Sequence, residues 1–335
     1  MNTLFLRYLT EMQNKGRLKF YENHSLSLVS TFGIGGRARV FVMPLDEECF
    51  KDTVRLASIC GRYIVIGNAS NLLFDDRGFY GTVISTVKLR SLELLLSPRS
   101  REEGFVFEGC REKRIIKASC GVMLPSLSAF ALKNGIKGFE GLCSIPATVG
   151  GALCLNAGAY GTEISDTLIA YEVYFPQNDE KRLIISDKKE FSYRKSSVGK
   201  QGETVLYAYF LAQKGDEAQI RERIEKNKAF RQASQPIGER SAGSYFKRPN
   251  ESEGLPDFRG KSAGEIIDIC GLKGTAVGQA QISRKHGNFL INKSGKATAC
   301  EVLALAERVK KAVYKRTRIR LKEEVEFIHR LGKGR

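Results

Sequence analysis

The sequence has no tryptophan and only three histidines among its 335 residues. Its eight cysteines never form a C-x-x-C pair, which argues against a zinc site and against a disulfide framework. No apolar run approaches the roughly 20 residues that a membrane-spanning helix needs. The first residues lack the basic start and the small-residue cleavage site of a signal peptide. We therefore expect a cytoplasmic protein with no metal site and no membrane segment.

Acidic residues are outnumbered by basic ones, 37 to 54, which gives a formal net charge of +17 at pH 7. Such a charge is typical of proteins that bind nucleic acid, so a nucleic-acid-binding protein is one hypothesis. The basic residues are spread along the chain, however, and no zinc finger, helix-turn-helix or RNP motif is present. Glycine-rich loops dominate instead of basic-aromatic stripes. We favour a protein without a nucleic-acid partner, whose substrate carries phosphates or carboxylates.

The length is typical of two or three domains. A strand is predicted at residues 204–212 and a charged amphipathic helix at 218–235, with Phe230 on its inward face. The turn between them, near residue 213, is the predicted domain boundary. A further strand is predicted at residues 105–108, and period-two alternation predicts a final strand at 319–328.

Residues 138–161 (GFEGLCSIPATVGGALCLNAGAYG) combine six glycines and four alanines with almost no charge. The stretch is too interrupted for a helix and too poor in β-branched residues for a strand. Glycine supplies backbone freedom and leaves room for another group against the main chain. Gly150, Gly151 and residues 156–159 therefore predict backbone in contact with a flat or phosphorylated ligand. A tight crossover between two packed elements explains the composition equally well.

A short apolar strand at residues 63–66 is followed at once by the sequence Gly-Asn-Ala-Ser-Asn at residues 67–71. A strand that ends in such a turn brings backbone N–H groups and small side-chain donors together, which is how an anion nest is built. The same residue types also favour a plain β-turn. The pattern is neither G-x-G-x-x-G nor a Walker A loop, so it predicts neither a Rossmann fold nor a P-loop.

Seven stretches, in order from about residue 20 to residue 328, together resemble one family. This family is the flavin-dependent UDP-N-acetylenolpyruvoylglucosamine reductases of peptidoglycan synthesis. Each motif is unspecific alone, whereas the ordered set is specific. The seven stretches are residues 31–36, 66–73, 141–161, 193–196, 242–249, 280–292 and 321–325.

The resemblance implies an α+β fold with α/β subdomains. A two-part FAD-binding domain of the PCMH or vanillyl-alcohol-oxidase type would precede a C-terminal α+β domain that closes over the UDP-sugar. The segment between residues 194 and 244 is short, as in the compact subclass that lacks an extra substrate-covering tyrosine loop. The implied division is 1–88 and 89–213 for the two FAD-binding subdomains, 214–330 for the substrate-binding domain and 331–335 for a tail.

The resemblance also implies the reaction. NADPH would reduce FAD, and the flavin would pass hydride to the enolpyruvyl ether of UDP-N-acetylenolpyruvoylglucosamine, giving UDP-N-acetylmuramate. Hydride addition to the terminal carbon leaves an enolate, whose charge needs cationic or hydrogen-bonding groups aimed at it. The carbon that carries the enolate then needs a positioned acid.

Three residues match the family's catalytic positions. Arg194 would hold the carboxylate with its planar fork, Ser244 would donate the proton, and Glu324 would bind near the enolate as a neutral acid. Without the resemblance, Arg194 would be interpreted as a member of a structural ion pair, Ser244 as a turn residue and Glu324 as a solvated charge.

For FAD, the resemblance implies that residues 67–71 hold the pyrophosphate and that the glycine-rich stretch runs beside the ribityl chain and the isoalloxazine. Lys247 and Tyr193 are candidates for the diphosphate and carboxylate regions of the substrate, and Asn288 is a third substrate-binding candidate. The cofactor candidates are Gly67, Asn68, Ala69, Ser70, Asn71, Ile145, Gly150, Gly151, Asn156, Ala157, Gly158 and Gly161.

The sequence departs from the family pattern at several positions. Ala69, Ser144 and Ala147 stand where glycine is expected, and Arg248 stands where many members have asparagine. Alanine would tighten the approach of the backbone to the flavin, which predicts weaker FAD retention. Another FAD oxidoreductase of the same fold, acting on a different acid, is the second enzyme hypothesis.

Overall fold

A computed structural model describes residues 3–96 and 114–333, and the strand predicted at residues 105–108 lies outside them. The chain packs into two units, each assembled from separate segments. At three points along the chain, the boundary between the two units falls within a strand. The first unit comprises residues 1–20, 42–68 and 84–230, and the second comprises residues 21–41, 69–83 and 231–335.

The described residues contain both helices and strands, as expected for a mixed fold. The helices are α1 (Thr3–Asn14), α2 (Glu47–Cys60), α3 (Leu124–Lys133), α4 (Val149–Leu155), α5 (Glu217–Ser234), α6 (Ala263–Ile269) and α7 (Ala299–Thr317). The strands are β1 (Leu18–Ser25), β2 (Arg37–Pro44), β3 (Tyr63–Ile66), β4 (Leu72–Phe74), β5 (Phe79–Ser85), β6 (Leu92–Leu96), β7 (Arg114–Ser119), β8 (Ile136–Lys137), β9 (Gly158–Ala159), β10 (Thr162–Glu163), β11 (Leu168–Phe175), β12 (Glu180–Ile185), β13 (Phe191–Ser192), β14 (Lys195–Ser196), β15 (Thr204–Lys214), β16 (Ser241–Ser244), β17 (Ala276–Val277), β18 (Ala280–Ile282), β19 (Phe289–Asn292), β20 (Glu326–His329) and β21 (Gly332–Lys333).

The main sheet of the first unit is antiparallel, with the order β12-β11-β15-β7-β6. Buried aromatic rings pack behind it: Phe139 meets Phe210 edge-on, with 5.7 Å between the ring centroids. The end of β7 anchors the start of α4, because the Gly150 N–H donates to the carbonyl of Cys120 over 2.8 Å. The sheet thereby fixes where the glycine-rich stretch begins.

The second unit contains an antiparallel sheet with the order β16-β19-β18-β17, whose apolar residues share one core with α6 and α7. Thr298 caps α7, and Glu301 completes the capping box. A separate sheet, β21-β20-β4, pairs β20 with β4 in parallel. Among residues 3–96 and 114–333, no helix combines the length and the hydrophobicity that a bilayer crossing requires.

The prediction that residues 138–161 contain no helix is wrong, because α4 lies within them. Thr148 caps this seven-residue helix by accepting a hydrogen bond from the Gly151 N–H over 3.4 Å. Val149, Ala152 and Leu153 are fully buried. Burying these side chains outweighs the roughly 1 kcal/mol per residue by which glycine disfavours a helix.

Two further predictions need correction. Phe230 is 62% exposed rather than inward, and its ring lies edge-on to Tyr160 at 5.9 Å, while Ile220 and Ile224 do face the core. The predicted final strand is regular only at Glu326–His329. Before it, the N–H groups of residues 324 and 325 both donate to the carbonyl of Tyr245, over 2.8 and 3.4 Å, so the ladder is irregular there.

Candidate active site

Gly67 and Asn68, the start of the first stretch predicted for the cofactor, meet the glycine-rich stretch within the first unit. Asn68 donates from Nδ2 to the carbonyl of Pro146 over 2.9 Å. A Cβ on Gly67 would overlap the Thr148 Oγ1 atom, so only glycine lets the turn after β3 approach the start of α4 this closely. Thr148 therefore both caps α4 and shapes the turn. Thr148 was not predicted from the sequence, although a threonine before a helix is the usual N-cap signal.

The turn after β3 contains a left-handed residue. Ala69 has a φ of 49°, a conformation that glycine adopts without the strain alanine bears. Alternation of right- and left-handed residues is what makes successive N–H groups converge in an anion nest. Beyond it, the Asn71 carbonyl accepts from the Glu326 N–H over 2.9 Å, which ties the end of the turn to β20.

Gly150 and Gly151 differ in what surrounds the position that a Cβ atom would occupy. A Cβ on Gly150 would lie 3.0 Å from the Cβ of Cys120 and 3.2 Å from its carbonyl oxygen. Among the residues that the structure describes, a Cβ on Gly151 would meet only Thr148 Oγ1, at an ordinary 3.4 Å. Packing within the protein thus accounts for Gly150, whereas the space beside Gly151 is open to a ligand.

Asn156 ends α4 in a left-handed conformation, with a φ of 45°, and is fully buried. Its Nδ2 donates to Glu163 Oε2 over 2.6 Å and to the carbonyl of Ser192 over 3.2 Å. Its Oδ1 is buried and, among the described residues, accepts no hydrogen bond. Orphaned buried acceptors are rare in folded proteins, so this oxygen points to a ligand that brings a donor.

Arg194 lies in the turn between β13 and β14 and is joined to the glycine-rich stretch. Its Nη2 donates to the carbonyl of Gly158 over 2.7 Å, and its Nη1 to that of Asn156 over 3.5 Å. The guanidinium carbon also lies 5.0 Å from the centre of the half-exposed Tyr193 ring. Arg194 has a φ of 52°, and such strain in a residue other than glycine is typical of functional sites.

Ser244 ends β16, directly after a change of register. Ser241 pairs with Ile291 and Ser244 with Phe289, so three steps along β16 match two along β19. Gly243 has a φ of 78° at this bulge. Bulges of this kind redirect side chains and are frequent beside active sites.

Glu324 belongs to a segment that runs beside the one carrying Ser244. The Glu324 N–H donates to the carbonyl of Tyr245, and the Lys247 N–H to that of Lys322, each over 2.8 Å. Ser244 and Glu324 are thus brought onto neighbouring segments.

Asn288 is buried, and both polar atoms of its side-chain amide form hydrogen bonds with one residue, Phe246. Its Oδ1 accepts from the Phe246 N–H over 2.9 Å, and its Nδ2 donates to the Phe246 carbonyl over 2.8 Å. Its own N–H donates to Nδ1 of His286 over 3.1 Å. Burial lowers the pKa of His286, which favours the neutral ring that can accept this bond. This contact of Asn288 with the backbone was not foreseen from the sequence.

The predicted site residues therefore form two groups, one in each unit. Tyr193 and Arg194 gather with the glycine-rich stretch in the first, while Ser244, Lys247, Asn288 and Glu324 gather in the second. Within the described ranges, no group of three or more histidine, cysteine, aspartate or glutamate side chains could hold a metal ion.

Comparison with protein families matches two models to this chain. Residues 38–183 match an FAD-binding domain. Residues 235–328 match the C-terminal domain of UDP-N-acetylenolpyruvoylglucosamine reductase.

Individual relatives match over most of the chain. The UDP-N-acetylenolpyruvoylglucosamine reductase of Halalkalibacterium halodurans is 35% identical over 91% of this chain and 93% of its own length. That of Agathobacter rectalis is 35% identical over 98% of this chain and 99% of its own. The crystal structure of the Thermus caldophilus reductase superimposes with a TM-score of 0.70 at 31% identity, covering 93% of this chain and 98% of that one.

Proposed function

This chain belongs to the UDP-N-acetylenolpyruvoylglucosamine reductase family, and we propose below how its own residues carry out the family's reaction. It is an FAD-dependent oxidoreductase of peptidoglycan precursor synthesis. It reduces UDP-N-acetylenolpyruvoylglucosamine to UDP-N-acetylmuramate, with NADPH as co-substrate. The predicted fold class, of an FAD-binding domain followed by a C-terminal α+β domain, is confirmed, as is the predicted FAD cofactor.

The observation that carries the FAD assignment is the contact of the turn after β3 with the start of α4. The close approach at Gly67, the open space beside Gly151 and the orphaned Oδ1 of Asn156 all fit a ligand with a flat ring and phosphates. When bound, FAD supplies the chemistry that carries hydride from NADPH to the enolpyruvyl ether. We propose that it is held by residues 67–71, Ile145, Gly151, Asn156, Ala157, Gly158 and Gly161, while Gly150, which was predicted with them, packs against Cys120.

Gly151→Ala separates a ligand-binding glycine from a structural one. The new methyl group clashes with no atom of residues 3–96 and 114–333 and removes a helical glycine, so we expect the apoprotein to be as stable as the unaltered one or more stable, by up to about 1 kcal/mol. FAD affinity should fall at least about tenfold, since a methyl group would occupy cofactor space. Equilibrium titration of the apoprotein with FAD and thermal unfolding measure the two effects.

Gly150→Ala is the matched control in the same helix. Its methyl group would press on Cys120, so the apoprotein itself should lose stability. If Gly151→Ala binds FAD as tightly as the unaltered protein, the glycine-rich stretch does not lie against the cofactor.

For the substrate, we propose that the Arg194 guanidinium binds the carboxylate and spreads the charge of the enolate. Its short bond to the carbonyl of Gly158 supports this role, because the guanidinium is held in place before substrate arrives. Tyr193, half exposed beside it, is proposed for the same carboxylate region. Lys247 is proposed for the diphosphate.

We propose that Ser244 protonates the carbon next to the carboxylate after hydride has reached the terminal carbon. An alcohol is a weak acid, but its target is a strongly basic, carbanion-like centre. Glu324, on the neighbouring segment, is proposed as a neutral acid close to the enolate. We also retain 1–88, 89–213 and 214–330 as the proposed functional domains. The two family matches, which end at residue 183 and begin at residue 235, support the second boundary.

The experiment is an anaerobic spectral titration of the purified protein. A flavin band near about 450 nm should bleach on addition of NADPH and return with UDP-N-acetylenolpyruvoylglucosamine. A band that bleaches but does not respond to the sugar would contradict the proposed identity of the substrate. A protein that stays colourless after reconstitution with FAD would contradict the cofactor.

A further inference from the structure

The start of the segment that carries Ser244 is held in place by hydrogen bonds. Thr31 Oγ1 donates to the carbonyl of Ser241 over 2.8 Å, and the Asn292 N–H to that of Arg240 over 2.9 Å. The Asn292 amide, buried, also donates to the carbonyl of Phe32 over 3.2 Å. The start of β16 is therefore joined to β19 and to the Thr31 loop of the same unit.

The end of the segment is tied by Asn288, which reaches it from the start of β19. The Tyr245 N–H donates to the carbonyl of Asn288 over 2.8 Å, and the Asn288 side chain satisfies both backbone groups of Phe246. Asn288 is only 6% exposed, so these bonds form away from water, where leaving a group unpaired costs most.

Ser244 lies between these two hydrogen-bonded ends of the segment, directly after the bulge at Gly243. The register change places one extra residue on β16, and Gly243 absorbs it with a φ of 78°. Within the described part of the chain, a Cβ on Gly243 would have no atom within 4 Å, so steric crowding there does not account for the glycine. Its backbone conformation does, and this conformation sets the direction of the residue that follows.

We propose that Gly243 and Asn288 are positioning residues that aim the Ser244 hydroxyl at the carbon it protonates. This inference rests on the proton-donor role proposed for Ser244. Hydride bonds to the terminal carbon of the enolpyruvyl group, and the electron pair of the carbon–carbon double bond moves onto the inner carbon and its carboxylate. The Ser244 O–H bond breaks as the new C–H bond forms, and the alkoxide regains a proton from solvent. A hydroxyl aimed from one side yields one configuration at that carbon.

The test compares Gly243→Ala and Asn288→Ala with a matched control, Gly260→Ala, in the flavin-loaded protein. Gly260 lies in the same unit with a φ of 72°, and its Cβ position likewise has no described atom within 4 Å, so it reproduces the backbone strain without the bulge. We expect both test variants to slow reoxidation by the sugar about a hundredfold, as misplacement by about 1 Å does elsewhere. Reduction by NADPH should stay within about twofold, and the control should match the unaltered protein.

A second readout is the configuration of the product at the protonated carbon, measured by NMR. When Ser244 is misaligned, water delivers the proton from either side, so both test variants should yield some of the opposite isomer. If both half-reactions were lost together and the product were isomerically pure, the positioning role would be contradicted. Gly243 and Asn288 would then serve only to maintain the structure. Unchanged rate and configuration would also overturn the inference.

Ser244→Ala in the same experiment separates the positioning role of Gly243 and Asn288 from the proton-donor role of Ser244. If Ser244→Ala is slow while Gly243→Ala and Asn288→Ala are fast, positioning fails and the proton donor stands. If Ser244→Ala is as fast as the unaltered protein, the proton-donor role fails and the positioning inference fails with it. A lowered thermal midpoint, shared equally by Gly243→Ala and Gly260→Ala, measures the common strain of alanine at positive φ.

Discussion

Replacing Ser244 with alanine is expected to lower substrate turnover about a thousandfold while leaving reduction by NADPH nearly intact, because a positioned general acid contributes about 10²–10⁴ to rate. The two half-reactions need different groups, and only the one that uses the sugar needs a proton on carbon. Stopped-flow measurement of each half-reaction, at the flavin absorbance, separates them. Methyl for hydroxymethyl is a small change at the end of β16, so the thermal midpoint should stay close to that of the unaltered protein.

Ser244→Cys is the informative companion variant. A thiol keeps a transferable proton at the same place and is a stronger acid than an alcohol, so part of the lost rate should return. The larger sulfur atom changes the reach of the group, so full recovery is not expected. Equal loss of both half-reactions in Ser244→Ala would contradict a role in proton donation. It would indicate instead that the segment around the bulge had been disturbed.

Replacing Arg194 with lysine is expected to lower turnover about a hundredfold to a thousandfold, the usual effect of removing one donor from a developing anion. Lysine keeps the charge but not the planar fork, which matches a carboxylate with two parallel bonds. It also loses the short bond from Nη2 to the carbonyl of Gly158. Steady-state kinetics with the sugar, and reduction by NADPH as the internal reference, measure the effect.

The control for Arg194 is its neighbour Lys195, which is exposed in the same hairpin. Lys195→Gln removes one positive charge without touching the Gly158 carbonyl, so turnover should stay within about twofold. FAD content must be measured in parallel, because Arg194 also supports the glycine-rich stretch. If Arg194→Lys loses FAD and regains full turnover when FAD is added in excess, the guanidinium serves the loop and not the substrate carboxylate.

Much of this protein follows from local sequence. Gly67–Asn71 after an apolar strand predicted the turn that contacts the start of α4, and the amphipathic pattern of residues 218–235 predicted α5 to within one residue at each end. These features depend on backbone conformation and on one-sided burial, which a short window of sequence encodes. The family, the reaction and the cofactor followed from motifs in order along the chain.

Other features depend on partners distant in sequence. Whether Gly150 or Gly151 faces a ligand depends on Cys120, which is thirty residues away and blocks only one of them. The helix α4 exists because three apolar side chains are buried against the first unit, against the local preference of its glycines. Phe230 was expected inside from its helical spacing, yet it is exposed and meets Tyr160.

By itself the sequence determined the chemistry of this protein: which residue types are present, in which order, and therefore which family, cofactor and reaction. The tertiary structure alone decided the geometry that supports this chemistry. It set the change of register before Ser244, the commitment of the Asn288 amide to Phe246, and the orphaned oxygen of Asn156. The physical reason is that hydrogen bonds and packing join residues that are far apart in the chain, and a local sequence pattern does not specify such partners.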